Sequence, residues 1–126
     1  GKTSFSVAAL PKAVGPYQHA VAYGGVLYTS AQLPIDAATN ALIDGDIAAQ
    51  TRKAMENLRA LLEGCGSSLD KLLICRLYVT DMGQFAAVNE EYGRFFAGIE
   101  PPARVCVEVS ALARGAAIEI EAAAIL

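Results

Sequence analysis

The chain has 126 residues, of which 54% are hydrophobic and 18% are charged, and its formal net charge is −3. This length predicts a single domain over residues 1–126. The acidic balance and the lack of a basic cluster argue against nucleic acid as a partner. No apolar run approaches the length that spans a bilayer, so no membrane partner is expected.

The large apolar share predicts a homo-oligomer that buries one face of its sheet between subunits. A monomer rich in alanine is the alternative, because alanine raises the apolar count without making a large patch.

The three cysteines, Cys65, Cys75 and Cys106, are odd in number and widely spaced. This pattern indicates neither a disulfide framework nor a metal site and fits a reducing compartment. Since no secretory segment is visible, we expect a cytoplasmic location.

The first half of the chain predicts short strands followed by a helix. Thr3–Val7 indicates an edge strand, and the β-rich runs His19–Tyr23 and Val26–Ser30 flank a glycine pair that is typical of a hairpin turn. Pro34–Gly45 is polar and predicts a loop. Asp46–Glu63 has apolar residues at helical spacing, with an aspartate to cap its start and a glycine to end it, so it predicts a helix.

The second half predicts a strand, a helix and two more strands. Leu72–Thr80 is rich in aliphatic residues and indicates a strand. A second helix is predicted over Met82–Ala97, with an aspartate before it as its cap. A proline pair forces an extended entry into a strand over residues 104–109, and Ala117–Ile125 predicts the last strand.

This order of elements predicts an α+β fold, a two-layer sandwich in which one mixed β-sheet carries two helices on one face. Alternation along the strand 104–109 puts its valines on one side and three polar residues on the other. We expect the valines, together with Ile118 and Ile120, to meet the helices. The opposite face would pack against another subunit and line an intersubunit cleft with Arg76, Tyr78, Arg104, Cys106, Glu108, Glu119 and Glu121.

Arg104 is the candidate for anchoring a ligand, because its planar guanidinium matches the two oxygens of a carboxylate. A structural ion pair with Glu108 or Glu119 is the alternative. Glu119 is a candidate for holding or deprotonating a water if partial burial raises its pKa. A solvated strand glutamate, like its neighbour Glu121, is the alternative there.

Other candidate residues have weaker signals. Cys106 is a nucleophile only beside a base, so we favour a packing role for its side chain, with its backbone carbonyl available to the cleft. Asn89 lies near an apolar helical stripe, where it needs partners either in a site or at the contact with the sheet. Tyr17 is presented from a stiff Gly-Pro turn or is a surface aromatic, and Ser30 ends a strand, where hydroxyls commonly cap loops. The only histidine, His19, is expected to be structural or solvent-facing.

From Ala13 to Ile125 the chain resembles the reactive intermediate deaminase family, also called RidA/YjgF. Each matching segment is weak by itself, whereas their order and spacing together are highly specific. The segments are Ala13–Tyr17, Thr29–Pro34, Gln50–Asn57, Val79–Met82, Phe85–Asn89, Pro102–Val109 and Ile118–Ala122.

The resemblance implies a chorismate-mutase-like fold and a homotrimer with ligand clefts between adjacent subunits. It also implies hydrolysis of 2-imino acids, the enamine and imine products of amino-acid dehydratases, to 2-keto acids and ammonia. In that picture Arg104 binds the substrate carboxylate, while Glu119 and the carbonyl of Cys106 position the attacking water. The cleft would be lined by Tyr17, Ser30 and Asn89.

The implied reaction agrees with the chemistry of imines. Because imines hydrolyse in water unaided, orientation of the substrate and one proton relay suffice. The resemblance implies no metal or organic cofactor.

Two departures from the family pattern lie near the implied cleft. The usual Ser-Gly-Gln is here Ser30-Ala31-Gln32, and the usual Ser-Gln after Tyr17 is Gln18-His19. A methyl group at Ala31 narrows or reshapes the cleft, so these changes affect substrate range more than fold.

We therefore expect an enzyme, a deaminase of the 2-iminobutanoate/2-iminopropanoate type. The alternative is a non-catalytic module that senses a keto acid in the same cleft. Ribonuclease activity, reported for some relatives, is disfavoured by the acidic charge and the lack of a basic groove.

Overall fold

A six-stranded mixed sheet and two helices make up the computed structural model, which describes residues 1–126. Both helices pack on one face of the sheet, so the predicted α+β class and two-layer arrangement are confirmed. Three short 3₁₀ turns lie at Leu69–Lys71, Met82–Gln84 and Ala113–Gly115. The regular elements are β1 Thr3–Phe5, β2 Ala20–Tyr23, β3 Val26–Thr29, β4 Ile35–Asp36, β5 Ala41–Leu42, α1 Ile47–Gly64, β6 Leu72–Val79, α2 Phe85–Arg94, β7 Ala103–Glu108 and β8 Ile118–Ile125.

The order of strands in the main sheet is β1-β2-β3-β8-β6-β7. Only β6 and β7 are parallel, and α2 makes the crossover that a parallel pair requires. The last strand, β8, lies between β3 and β6 in the middle of the sheet. Ile118 and Ile120 are therefore fully buried, as expected.

α1 packs its apolar stripe into the core. Asp46 caps it through a hydrogen bond from the Ala49 N–H to Asp46 Oδ1 of 3.0 Å, and the stripe around Leu58 is fully buried. Asn57 is also buried on this helix, and its Nδ2 donates to the carbonyls of Leu33 and Ile35 at 2.9 Å each. Although α1 is the longer helix, neither helix combines the length and apolar character needed to cross a membrane.

Two segments differ from expectation. The predicted loop Pro34–Gly45 contains the short ribbon of β4 and β5, whose turn is tightened by a bond from the Ala38 N–H to Asp36 Oδ1. The predicted helix Met82–Ala97 is shorter: it begins with a 3₁₀ turn and its α-helical part ends at Arg94. After that residue the bonds tighten to an i→i+3 pattern, whose last bond runs from the Ile99 N–H to the Phe96 carbonyl across Gly98, a glycine with a positive φ of 78°.

The expected orientation of β7 is wrong. Its parallel register sets Arg104 beside Cys75 and Cys106 beside Leu77, and paired residues point to the same side of a sheet. Since Cys75 and Leu77 are fully buried in the core, Arg104, Cys106 and Glu108 lie on the helix side. The valines of β7 lie on the other side. β7 is an edge strand that α2 covers only in part, so its helix side accommodates polar residues.

The sheet face away from the helices, called the open face below, is largely apolar and uncovered. Glu119 and Glu121 lie on it beside Tyr78 and Arg76, as expected. Tyr78 donates to Glu121 Oε1 at 2.8 Å, and Arg76 lies 3.6 Å from the same oxygen. Exposed apolar residues surround this polar group: Tyr23, Tyr28, Val105, Val107 and Ile125. A patch of this kind is characteristic of surfaces that bind another protein chain.

His19 fastens the amino-terminal segment to the sheet. It is buried, its Nδ1 accepts from the Val7 N–H at 2.9 Å, and its Nε2 lies 2.9 Å from the Pro11 carbonyl. Because Nδ1 is the acceptor, the ring proton is on Nε2 and is donated to Pro11. Of the two alternatives for this histidine, structural or solvent-facing, the contacts support the structural one.

Replacing this side chain should therefore destabilise the fold. We expect His19→Ala to lower the free energy of unfolding by about 1–3 kcal/mol, because it leaves the Val7 N–H and the Pro11 carbonyl without partners. Chemical denaturation at fixed protein concentration measures this change, with Gln18→Ala at the adjacent exposed position as the control. An unchanged unfolding midpoint in His19→Ala would contradict this role.

Candidate functional site

A cavity of about 400 Å³ lies where the loop before β2, the segment after β3 and the start of β8 meet. Tyr17, Ser30 and Glu119, three of the predicted site residues, all line it. The structure therefore brings these three together within one chain. Arg104, Asn89 and Cys106 do not line this cavity.

A bulge after β3 shapes this cavity. Tyr28 pairs with Ala123, and Gln32 pairs with Ile120 through two backbone hydrogen bonds of 2.7 and 3.1 Å. Between these two pairs, the segment that continues β3 contains one more residue than β8 does, which defines a β-bulge. The Ala122 N–H, displaced from the ladder, donates to Thr29 Oγ1 at 3.0 Å.

The bulge pushes Ser30 and Ala31 toward the cavity. Ser30 Oγ donates to the Gln18 carbonyl at 2.6 Å, so its hydroxyl proton is already engaged. The Ala31 N–H donates no hydrogen bond within the chain and is available to a ligand. Ala31 is not in the left-handed region, so its methyl group replaces the family's usual glycine without backbone strain.

Glu119 is half-buried at the cavity wall and has no hydrogen bond or ion pair within the chain. Burial raises the pKa of the Glu119 carboxyl, and the nearby Glu121 carboxylate raises that pKa further. A carboxylate whose pKa is raised toward neutrality and whose lone pairs are free is suited to take a proton from water.

Arg104 belongs to a second cluster, on the helix side of β7. Its Nη1 donates to Asn89 Oδ1 at 2.6 Å, and its Cζ lies 5.3 Å and 5.1 Å from the ring centroids of Phe85 and Tyr92. The rings hold the cation by cation–π attraction, and the exposed guanidinium keeps further N–H groups free.

Arg104 makes no ion pair within this chain. Glu108 Oε1 accepts from the Met82 N–H at 2.8 Å, and Glu119 lies on the opposite face of the sheet. The structural ion-pair interpretation is therefore wrong here. Arg104 is a cation held in place with its guanidinium N–H groups exposed, the arrangement that binds carboxylates.

Cys106, two residues along β7 from Arg104, is half-buried against the core. Burial raises the pKa of its thiol, and the Arg104 charge opposes this only in part. The only histidine is engaged by Val7 and Pro11, so no imidazole is available as a base for this thiol. These contacts support a packing role for its side chain, and no group of acids, cysteines and histidine is placed to hold a metal ion.

Some residues of these two clusters were not predicted from the sequence. The rings of Phe85 and Tyr92 under Arg104 were not among the predicted site residues, because the predicted orientation of β7 put Arg104 on the other side of the sheet. Lys12 and Arg114 also line the cavity, and no sequence pattern marked either one.

The chain belongs to the family described as Endoribonuclease L-PSP, whose model matches residues 7–126. It is 47% identical to protein DfrA of Myxococcus xanthus over 117 residues, covering 91% of this chain and 88% of that protein. It is 46% identical to a RutC family protein of Pyrococcus horikoshii over 114 residues, covering 90% of each.

Solved structures agree with this assignment. The Rid family protein YyfA from Yersinia pestis, of unknown function, is 38% identical with a TM-score of 0.97 over 100% of both chains. The Escherichia coli YjgF product is 34% identical, and E. coli TdcF, solved with bound serine, is 32% identical. Each has a TM-score of 0.93 over 98% of both chains, so the resemblance to the RidA/YjgF family is confirmed.

The raised pKa of Glu119 leads to a prediction about stability. A carboxyl whose pKa is higher in the fold than the ordinary 4.5 favours folding while it is protonated, and this contribution is lost as pH rises through the raised value. We expect Glu119→Gln to increase the free energy of unfolding at pH 7 and to remove this loss between pH 4.5 and neutrality.

Denaturation at several pH values and equal protein concentration tests this prediction, with Glu63→Gln on the exposed side of α1 as the matched control. A Glu119→Gln variant less stable than the wild type at pH 7 would show that the charged carboxylate is satisfied in the fold.

Proposed function

We propose that the protein hydrolyses small 2-imino acids and their enamine tautomers to 2-keto acids and ammonia, in clefts that adjacent subunits of a homotrimer share. One observation carries the proposal: Arg104 and Glu119 lie on opposite faces of one sheet, each with unused binding capacity. A single chain cannot direct both at one small substrate. A neighbouring copy that covers the open face supplies the missing half.

The open face supports this assembly. Its exposed apolar residues lie on β2, β3, β7 and β8, and Tyr23 alone is 69% exposed. An exposed apolar surface is more stable when it is buried between subunits. Burial there would bring the Glu119 cavity of one copy to a boundary with the next.

In the proposed cleft, Arg104 binds the carboxylate of the substrate with its two-pronged guanidinium. Asn89 and the two aromatic rings keep the cation in place, so little freedom is lost on binding. The Ala31 N–H provides a further donor to the bound substrate. Tyr17 and Ser30 limit the space around it.

The chemical step needs one water molecule and one base. Glu119 takes a proton as the water oxygen bonds to C2 of the protonated imine, which gives a carbinolamine. The proton then passes to the nitrogen and the C2–N bond breaks. Glu119 takes the proton of the hydroxyl, which becomes the carbonyl, and the ammonia accepts this proton and leaves as ammonium. The carbonyl of Cys106, which the family resemblance assigns to this cleft, would help to orient the water.

The chemistry of a relative supports a carboxylate ligand. E. coli TdcF was solved with bound serine, an amino acid with the same carboxylate group that a 2-imino acid carries. Ribonuclease activity has less support here, even though the family's description contains that word, because the net charge of −3 opposes binding to a phosphate backbone.

An assay with freshly generated imine tests the proposal. An amino-acid dehydratase acting on serine or threonine supplies 2-iminopropanoate or 2-iminobutanoate, and the release of ammonia or keto acid is timed with and without the protein. We expect the wild type to accelerate release and Arg104→Ala to abolish the acceleration, with Glu119→Gln reducing it about 10²–10⁴-fold.

Binding measurements complete this test. Both variants should remain folded by circular dichroism, and Glu119→Gln should still bind a 2-keto acid such as pyruvate while Arg104→Ala does not. Unchanged acceleration in Arg104→Ala would refute the anchor. A wild type that binds pyruvate but does not accelerate imine hydrolysis would favour the non-catalytic sensing module.

A further inference from the structure

We infer that the cavity accepts 2-imino acids whose side chain bears a second carboxylate, and that Arg114, assisted by Lys12, binds that distal group. The inference rests on the proposed function and specifies its substrate class. It is carried by the charge at the cavity and by the backbone that holds Arg114 there.

The cavity lining is positively charged apart from its proposed base. Lys12 and Arg114 line it, and Glu119 is the only acid that does so. Neither cation forms an ion pair within the chain, whereas Arg52, Arg76 and Arg94 all do. An anionic group entering this cavity therefore meets two uncompensated cations.

Arg114 has an unusual backbone for its residue type. It has a φ of 64° and is followed by Gly115 at 73°, so a left-handed turn occupies both positions. A residue with a β-carbon pays about 1–2 kcal/mol for this conformation, which glycine adopts freely. The turn itself therefore does not require an arginine, and the side chain is available for another role.

The guanidinium of Arg114 is fixed at the cavity. Its Nη2 donates to the carbonyl of Asn40 at 2.7 Å, and Asn40 lines the same cavity. Asn40 has a φ of 56°, so the only two non-glycine residues with positive φ in the chain are bonded to each other. This bond occupies one nitrogen and leaves the other N–H groups of the fork for a carboxylate.

Each of the two arginines would then bind one carboxylate of the substrate. In a shared cleft, Arg104 of a neighbouring copy would bind the carboxylate next to the imine, and Arg114 would bind the carboxylate at the end of the side chain. Lys12 adds charge that offsets the repulsion between this second carboxylate and Glu119. The reaction that supplies such a substrate must oxidise or dehydrogenate an acidic amino acid to its imine.

Two substrates of nearly the same shape, one with a charged and one with a neutral side chain, isolate the effect of the second carboxylate on the reaction. An amino-acid oxidase generates the imines of glutamate and glutamine in situ, and keto-acid release gives kcat/KM for each. The wild type should prefer the glutamate imine by about tenfold, equivalent to about 1.4 kcal/mol. Arg114→Asn should bring this ratio close to one, because asparagine tolerates the left-handed backbone but lacks the cation.

Two further variants sharpen the result. Arg114→Lys keeps the positive charge but loses the planar guanidinium, so it should retain part of the preference for the glutamate imine. Arg59 stacks on Phe95 away from the cavity, so Arg59→Gln should leave the ratio of the two kcat/KM values unchanged. A wild type without the preference, or an Arg114→Asn ratio equal to that of the wild type, would overturn this inference alone. Failure to accelerate hydrolysis of any imine, neutral ones included, would overturn the proposed function and this inference with it.

Discussion

The pairing of three strands is the constraint on which the proposed site depends. β6 pairs with β7 in parallel and with β8 in antiparallel, and the two registers together assign a face to every residue of these strands. They put Arg104 on the helix side and Glu119 on the open face. A shift of either register by one residue would exchange these faces and expose the core. The separation of cation and acid is therefore as firmly set as the core itself.

The fold positions the two halves of the proposed site in different ways. Arg104 is exposed but immobilised by one amide oxygen and two rings, so it is ready for a carboxylate and has no competing acid within reach. Glu119 is half-buried without a partner, which costs stability in its charged form and makes it a better base. Acids with a pKa raised by burial cluster at functional sites, which supports the role proposed for Glu119.

Much of this structure could be predicted from the sequence, because its patterns are local. Helical spacing and a capping aspartate predicted α1 nearly to the residue, and alternation correctly predicted the face of Glu119 on β8. Alternation also divided β7 correctly into two sides. It could not show which side met the helices. β7 is an edge strand whose valines are exposed in the single chain, and no local sequence pattern indicates what would cover them. Arg114 was missed because its position depends on a left-handed turn and on a carbonyl 74 residues away.

A mixed-subunit experiment tests the central claim most directly, namely that one chain's arginine works with another chain's glutamate. Arg104→Ala and Glu119→Gln chains, each inactive alone, are co-expressed in equal amounts, and imine hydrolysis by the assembled protein is measured. Random assembly of shared clefts predicts about one quarter of wild-type activity, because each cleft needs one intact residue from each of two chains. Activity no higher than that of either variant alone would mean that the two residues do not meet across a subunit boundary.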